Sequence, residues 1–204
     1  VQQRLIVRLA QHHYVTREPL HEAAELITQA ACEAYQVARA SIWHLTDHRL
    51  DPVTLYRSDT GRHEQPAAID APNYLSALQG GRTVDAHDAQ HDLRTRELSE
   101  SYLSPLGIGA MLDASIRVGG KVIGVLCLEH IGAPRAWQAD EIAFAGELAD
   151  QYAQVFSNQQ QRSATSALHL FQRAVEQSAS AFILLDRDGL VEYVNPSFTA
   201  ITLY

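Results

Sequence analysis

The sequence feature that most constrains the fold is a pair of apolar segments on either side of Gly119-Gly120. Residues 110–118 and 121–130 are rich in the aliphatic and β-branched side chains that favour strands. Two such segments separated by two glycines predict a tight antiparallel hairpin, because glycine readily adopts the positive φ angles of a two-residue turn. The chain is therefore expected to contain an antiparallel sheet.

Helical and strand-like segments surround this hairpin. Apolar residues at helical spacing occupy residues 20–34, two strand-like segments follow at residues 40–45 and 53–56, and a long helix is predicted from Ala139 to about Gln161. Neighbouring antiparallel strands with helices gathered on one face are typical of an α+β domain. We therefore predict an antiparallel sheet with helices on one face and a pocket, covered by loops and short helices, on the other.

Composition and charge exclude several classes of protein. The 204 residues are 46% hydrophobic and 20% charged, which is typical of a globular chain of one domain, or of one domain and part of another. A net charge of -8 without any basic run argues against a nucleic-acid-binding surface. No apolar run approaches the roughly 20 residues of a membrane span, and two cysteines cannot build a disulfide framework. We therefore expect a cytoplasmic protein with no membrane insertion in this segment.

Motifs of catalysis and metal binding are incomplete. His87 and His91 stand four residues apart among three carboxylates, a spacing that could hold a metal on one helical face, but the same residues suit a hydrated polar loop. Glu25 occupies the position where a zinc-protease helix beginning at His21 would need its second histidine. The sequence has no phosphate-binding loop and no Gly-x-Ser-x-Gly elbow. We therefore predict no metal site and no catalytic residue in this fragment.

The register of the hairpin predicts which side chains face the helices. A two-residue turn places Val118 opposite Lys121. The inner pairs that follow are Ile116 with Ile123, Ala114 with Val125, and Leu112 with Cys127. All six of these side chains are apolar or carry a thiol, so we expect this face to pack on the helices.

The alternate face of the hairpin is predicted to line the pocket. It carries a carboxylate and a hydroxyl, and burying either one unpaired beneath a dry helix layer would cost about 1–3 kcal/mol. A pocket beneath the loop segments explains both groups, with Gly124 leaving room, although Asp113 could instead cap a loop amide inside a closed core. The candidate ligand-pocket residues are Tyr74, Tyr102, Met111, Asp113, Ser115, Gly124, Leu126 and His130.

The long helix carries two apolar stripes, one through Tyr152 and Phe156 and one through Phe144 and Leu148. One stripe can cover the sheet, so the other predicts a partner chain. An N-terminal helix is the natural addition to such a bundle. We therefore predict a homodimer, and the candidate residues of its helices are Leu5, Leu9, Tyr152 and Phe156.

From Val118 onward the sequence resembles the closing half of a GAF domain of the bacterial sensory subtype. The matching residues are Val118-Gly119-Gly120-Lys121-Val122-Ile123-Gly124-Val125-Leu126-Cys127-Leu128-Glu129-His130, Pro134-Arg135-Ala136-Trp137, Glu141 and Phe144. Upstream, Tyr74-Leu75, Asp85-Ala86 and Met111-Leu112-Asp113 match the middle of the same subtype. The resemblance implies an N-terminal helix at residues 1–16, a GAF domain at residues 17–156 and a helical linker at residues 157–167.

A second resemblance begins after the linker. Residues 181–198, with a turn at Arg187-Asp188-Gly189 and a helix opening at Asn195-Pro196, resemble the start of a PAS domain. We expect a truncated PAS domain at residues 168–204, because a whole one needs about a hundred residues. GAF followed by PAS is typical of multidomain bacterial signal-transduction proteins. Such proteins end in a GGDEF or EAL module, which makes or degrades cyclic di-GMP, or in a histidine kinase.

The resemblance implies a non-enzymatic sensory module in this fragment. Such a module binds a small ligand, or transmits a signal through dimeric helices, to the PAS domain and an output domain such as a diguanylate cyclase, a phosphodiesterase or a histidine kinase. The alternative is a dimerisation module with an empty pocket. A haem sensor, using His130 or another histidine, and a cyclic-nucleotide sensor are further alternatives. Neither the ligand nor any cofactor follows from the residues.

Overall fold

A computed structural model describes residues 20–203 of the chain. It divides into two compact units, a larger one that ends at Ser157 and a smaller one that begins at Asn158. Within residues 20–203 no helix has both the length and the apolar character needed to cross a membrane.

The larger unit is built on one antiparallel sheet of six strands in the order β3-β2-β1-β6-β5-β4. The strands are β1 (Arg39–Thr46), β2 (Arg49–Arg57), β3 (Arg62–Glu64), β4 (Thr83–Ala86), β5 (Ile108–Val118) and β6 (Lys121–Ile131). The helices are α1 (Leu20–Tyr35), α2 (Pro72–Gly80) and the first part of α3 (Ala139–Glu176). Three short helical turns, Arg96–Leu98, Ser99–Leu103 and Ser104–Leu106, precede β5. This mixture of helices with an antiparallel sheet confirms the predicted α+β class.

Each face of the sheet carries its own apolar core. On one face, Leu112, Leu126 and Leu128 pack with residues of α1 and α3, among them Ile27 and Leu148. We call this the helix face. On the other, Met111, Val125 and Cys127 pack beneath α2 and the helical turns, and the fully buried side chains there include Trp43, Tyr74, Leu78 and Leu103. We call this the cover face.

The hairpin has the predicted turn but a different register. Val118 does lie opposite Lys121, yet Ile116 pairs with Gly124, and Asp113 pairs with Cys127. The predicted pairs Ile116–Ile123, Ala114–Val125 and Leu112–Cys127 are therefore wrong. The cause is an irregularity after Arg117–Val122 that adds one residue to β6. Such a bulge sends every later side chain of the longer strand to the opposite face.

The bulge leaves the predicted faces of β5 correct and reverses those of β6 after Ile123, which packs on the helix face as predicted. Leu126, predicted to line the pocket, packs in the core of the helix face, whereas Cys127 lies on the cover face. Gly124 does not leave room for a ligand, because a Cβ atom there would come within 2.2 Å of the carbonyl oxygen of Trp43. Glycine is needed at this position for the close approach of β1. His130 pairs with Ala110 and is half-buried at the end of the same strand.

The smaller unit contains the C-terminal part of α3, a two-stranded hairpin and a short helix. The hairpin pairs β7 (Ile183–Leu185) with β8 (Val191–Val194), and the helix is α4 (Pro196–Thr202). The side chain of Asn195 caps α4 by accepting a hydrogen bond from the Phe198 N–H. Helix α3 continues through the predicted linker at residues 157–167, because that segment has no proline or glycine to end it.

Both apolar stripes of α3 pack against the rest of the larger unit. Tyr152 is 0% exposed, and its hydroxyl lies 2.8 Å from Nε2 of His44 on β1. Phe156 is half-buried, with its ring centroid 5.3 Å from that of His44. The prediction that Tyr152 faces a partner chain is therefore wrong, because its side chain packs on the sheet of its own chain. Leu5 and Leu9 lie outside the described residues, and the homodimer itself stays a prediction.

Replacing Tyr152 with phenylalanine should lower the free energy of unfolding by about 1 kcal/mol, because it removes one buried hydrogen bond and leaves His44 without that partner. Chemical unfolding measures the change. Tyr56→Phe is the matched control, since the Tyr56 side chain is half-buried and its hydroxyl makes no hydrogen bond within the described residues. Equal losses in the two variants would contradict the role of the His44–Tyr152 contact.

Candidate functional site

Helix α2 packs on the cover face of the sheet, and its N-terminus is held by a residue that lies outside the helix. Its N-cap residue, Ala71, provides no side-chain hydrogen bond. Instead, the carboxylate of Glu97 accepts hydrogen bonds from the backbone N–H groups of Asn73 at 2.9 Å and Tyr74 at 3.1 Å. A negative charge at a helix N-terminus also interacts favourably with the helix dipole. The first turn of α2, which carries Tyr74, is therefore fixed by the helical turn Arg96–Leu98.

The C-terminus of α2 is held by β5. The hydroxyl of Ser115 donates to the carbonyl oxygens around the end of the helix, including that of Gly81 at 2.8 Å. The Arg117 guanidinium donates to the carbonyl oxygens of Gln79 at 3.0 Å and Gly81 at 2.7 Å. Ser115, predicted to contact a ligand, thus uses its hydroxyl to position α2.

Asp113 lies on the cover face beside Tyr74 and Cys127. The hydroxyl of Tyr74 donates to its Oδ2 atom at 2.9 Å, and Cys127 lies directly across the strand pair, with Sγ 3.7 Å from the same hydroxyl. Asp113 is 0% exposed and Tyr74 is 1% exposed. The Oδ1 atom of Asp113 is buried without a hydrogen-bond partner. Asp113 is thus bound by a side-chain hydroxyl and not, as the alternative prediction had it, by a loop amide.

Burial changes the protonation chemistry of this cluster. It raises the pKa of Asp113 to about 7, although the Tyr74 hydroxyl and the Cys127 thiol offset part of the rise, and nearby Glu129 adds to it. Asp113 can therefore donate a hydrogen bond below neutral pH and accept one above it. Burial also raises the pKa of the Cys127 thiol well above its ordinary value, so this thiol is a poor nucleophile.

A second buried polar cluster joins the cover to β1 and β6. Arg39 and Glu129 lie opposite each other on these strands and form an ion pair of 2.6 Å. The Tyr102 hydroxyl, from the single turn of π-helix Ser99–Leu103, donates to Glu129 at 2.6 Å and accepts from Arg39 at 3.1 Å. The turn that carries Tyr102 is thereby tied to the sheet.

The structure brings five of the eight predicted pocket residues to the cover face, namely Tyr74, Tyr102, Met111, Asp113 and Ser115. Gly124, Leu126 and His130 are not among them, because the extra residue in β6 changes the face of the sheet on which each of them lies. Sequence analysis missed Cys127, Arg39, Glu129 and Glu97. Cys127 was assigned to the helix face because the extra residue in β6 was not foreseen. That any of these residues contacts a ligand stays a prediction.

Three of the residues behind the family resemblance are Arg135, Trp137 and Glu141, and they connect the segment after β6 to the rest of the larger unit. Arg135 donates to the carbonyl oxygen of Tyr35 at the end of α1, forms an ion pair with Glu141, and stacks 4.4 Å from the ring centroid of Trp137. The backbone N–H of Trp137 donates to Nδ1 of His87 at 3.0 Å. His87 is thus engaged in the fold, and residues 20–203 contain no group of three or more side chains placed to hold a metal ion.

Residues 19–156 match the sequence model of the GAF domain family. The chain belongs to this family. No curated protein is significantly similar to it in sequence. The GAF assignment covers the whole larger unit apart from its first residues and its last one.

Several solved structures share this fold at low sequence identity. The blue-light absorbing form of the Thermosynechococcus elongatus PixJ GAF domain has a TM-score of 0.63 at 20% identity, over 74% of this chain and 92% of that one. The GAF domain of an Acinetobacter phosphoenolpyruvate-protein phosphotransferase has a TM-score of 0.62 at 15% identity, over 80% of this chain and 97% of that one. A protein in its far-red absorbing dark state with bound biliverdin IXa has a TM-score of 0.63 at 15% identity, over 76% and 98% of the two chains.

Replacing Glu97 with alanine should lower the free energy of unfolding by about 1 kcal/mol, because it removes the cap from α2. Hydrogen exchange should quicken at the Asn73 and Tyr74 amides in particular. Glu100→Ala, at a nearby exposed position, is the control and should leave both amides unchanged. Unchanged exchange in Glu97→Ala would contradict the capping role.

Proposed function

We propose that this GAF domain is a sensory module that binds a small ligand on the cover face, next to Asp113. One observation carries the proposal. Asp113 is fully buried and its Oδ1 atom has no hydrogen-bond partner. An unpaired buried polar atom destabilises the fold by about 1–3 kcal/mol, so its presence in a native structure calls for an explanation. A ligand atom that forms a hydrogen bond with Oδ1 would provide one.

The arrangement around Asp113 supports a sensory role. Tyr74 connects Asp113 to α2, while Ser115, two residues further along β5, holds the end of the same helix. A ligand that changes the hydrogen bonds of Asp113 would therefore shift the balance between two positions of α2. The biliverdin-bound neighbour provides an example of this fold with a small molecule.

We further propose that the smaller unit is the first part of a PAS domain, and that the chain acts in a cytoplasmic multidomain signalling protein as a homodimer. The order of helix, hairpin and Asn195-capped helix supports the PAS assignment. The unit also has a groove of about 420 Å³ lined by apolar residues, among them Phe171, Phe182 and Leu184, which the rest of a PAS domain would cover. A GGDEF or EAL module for cyclic di-GMP, or a histidine kinase, is the output that fits this order.

Native mass spectrometry of gently purified protein tests the sensory proposal. The expected result is a small molecule retained by the wild type and lost from Asp113→Leu. Asp70→Asn, at an exposed acidic position, is the control and should retain the molecule. A wild type that carries no molecule after purification from cells that express the whole signalling protein would contradict the proposal.

The second candidate is a dimerisation module whose ligand site is closed, and a specific observation favours it. Trp43, Tyr74, Leu78, Leu103 and Met111 are all fully buried on the cover face. On this alternative the side chains themselves fill the layer, and the domain acts through helix association alone. A stable dimer with no retained molecule would favour it over ligand sensing.

A further inference from the structure

The connection between α2 and β4 reaches the helix layer on the opposite side of the sheet. Helix α2 packs on the cover face, where Leu78 is fully buried, whereas α3 packs on the helix face through Leu148 and Ala149. Arg82 lies between α2 and β4, and its guanidinium donates a hydrogen bond to the carboxylate of Asp150 on α3 at 2.7 Å. Because β4 is an edge strand, this one side chain joins the two layers around the edge of the sheet.

The guanidinium of Arg82 is also packed against the backbone of α3. Gly146, one turn before Asp150, is buried in the interior of this helix. A Cβ atom on Gly146 would lie only 2.9 Å from Nε and 3.0 Å from Nη2 of Arg82. Glycine is less favourable than alanine inside a helix, and here the missing side chain leaves the space that the guanidinium occupies. The place of Arg82 on α3 is therefore set by shape as well as by charge.

The backbone of Arg82 is tied to the end of α2. Its carbonyl oxygen accepts a hydrogen bond from the backbone N–H of Ser115 at 2.9 Å, and the Ser115 hydroxyl lies 2.9 Å from the same oxygen. That hydroxyl also lies 3.1 Å from the carbonyl oxygen of Leu78 and 2.8 Å from that of Gly81. A displacement of this end of α2 would therefore change the hydrogen bonds around Arg82 and move its guanidinium.

We propose that Arg82 is a clasp that couples the position of α2 to the packing of α3. When the end of α2 moves, the guanidinium leaves Gly146 and Asp150, and the turn of α3 at residues 146–150 opens more readily. Helix α3 continues as one helix to Glu176, so the affected turn belongs to the element that leaves the GAF domain. The inference concerns contacts within the chain and does not depend on a ligand.

The expected coupling is modest. The side chains of Arg82 and Asp150 are about half exposed, and such a pair contributes little to the stability of the fold. Substitutions at residues that connect two elements nevertheless change the coupling between those elements by a few-fold or more. The effect should therefore appear in the local opening of α3 and not in the overall stability of the domain.

Hydrogen exchange of the whole chain, followed by NMR, tests the clasp. Ser115→Ala removes the hydroxyl that holds the end of α2, and Arg117→Met removes the other side chain that donates to it. Either change should quicken exchange at the amides of residues 146–150 at least about threefold more than at the amides of α1, the internal reference. Ser58→Ala, which removes a hydroxyl at the end of β2, is the control and should produce no such excess.

Two variants open the clasp in different ways. Arg82→Met removes the guanidinium, whereas Gly146→Ala fills the space in which it lies. Gly146→Ala should leave α3 at least as stable, because alanine favours a helix more than glycine and the Arg82 side chain is flexible. In either variant, adding Ser115→Ala should no longer produce the excess. Arg57→Met, which removes an exposed arginine paired with an aspartate on the same loop, is the matched control and should retain it.

An excess that persists in Arg82→Met or in Gly146→Ala would overturn the inference, because the change would then reach α3 through the sheet. The absence of any excess when Ser115→Ala or Arg117→Met is made in the otherwise unchanged chain would overturn it as well. Neither result involves a retained molecule, so the proposed sensory function would stand in both cases.

Discussion

Asp113→Asn should remove about 4 kcal/mol of the stability that the GAF domain loses between about pH 4 and about pH 7. In the folded state the pKa of Asp113 is about 7, against 3.8 for an ordinary aspartate, so the folded protein holds this proton more tightly than the unfolded chain. The stability that Asp113 contributes is therefore complete below about pH 4 and lost as pH rises to about 7. A difference of about three pKa units corresponds to about 4 kcal/mol.

Urea unfolding followed by tryptophan fluorescence measures this dependence, since Trp43 and Trp137 both lie in the larger unit. The wild type should lose about 4 kcal/mol between about pH 4 and about pH 7 relative to Asp113→Asn, and the two curves should run parallel above that range. Asp70→Asn, at an exposed position, should follow the wild type. Parallel curves for the wild type and Asp113→Asn throughout would show that Asp113 is not a buried acid.

Glu129→Ala should destabilise the GAF domain by about 3–5 kcal/mol. The side chains of Arg39 and Glu129 are 11% and 1% exposed, so removing the carboxylate leaves a guanidinium buried without its counter-ion. Tyr102 also loses the acceptor of its hydroxyl, which frees the turn of π-helix from the sheet. Urea unfolding at about pH 6 measures the loss.

A double-mutant cycle separates the ion pair from simple loss of packing. Arg39→Met combined with Glu129→Leu should cost less than the sum of the two single changes, because no unpaired charge remains. The control is the Arg82–Asp150 pair, whose side chains are about half exposed and whose loss should cost at most about 1 kcal/mol. Additive costs for Arg39 and Glu129 would contradict the coupling.

Sequence analysis predicted the hairpin because its signal is local. Two glycines between β-favouring segments specify a turn, and strand alternation then predicted the faces of Leu112 and Asp113 on β5 correctly. The faces on β6 were wrong because the extra residue at Ile123 was not foreseen, although a glycine inside a strand, here Gly124, often marks a bulge or a close approach of the backbone. A single bulge exchanges the faces of Leu126 and Cys127, so the position of Cys127 beside Asp113 was not predicted.

Contacts between segments that lie far apart in the chain could not be predicted from the sequence. Glu97 caps a helix 24 residues away, and Arg39 pairs with a glutamate on a strand at the other end of the larger unit's sequence, without any local pattern to show it. The dimer prediction has a similar limit. Helical periodicity shows that Tyr152 faces an apolar surface, but it cannot show whether that surface belongs to the same chain.

A crystal structure of the protein with the molecule it retains through purification tests the ligand site most directly. We predict that the molecule lies between the sheet and α2, with a polar atom within hydrogen-bond distance of Asp113 Oδ1. Its presence instead in the groove lined by Leu168 and Phe171, or on the helix face, would contradict the account. So would a cover face filled only by the side chains of the chain itself.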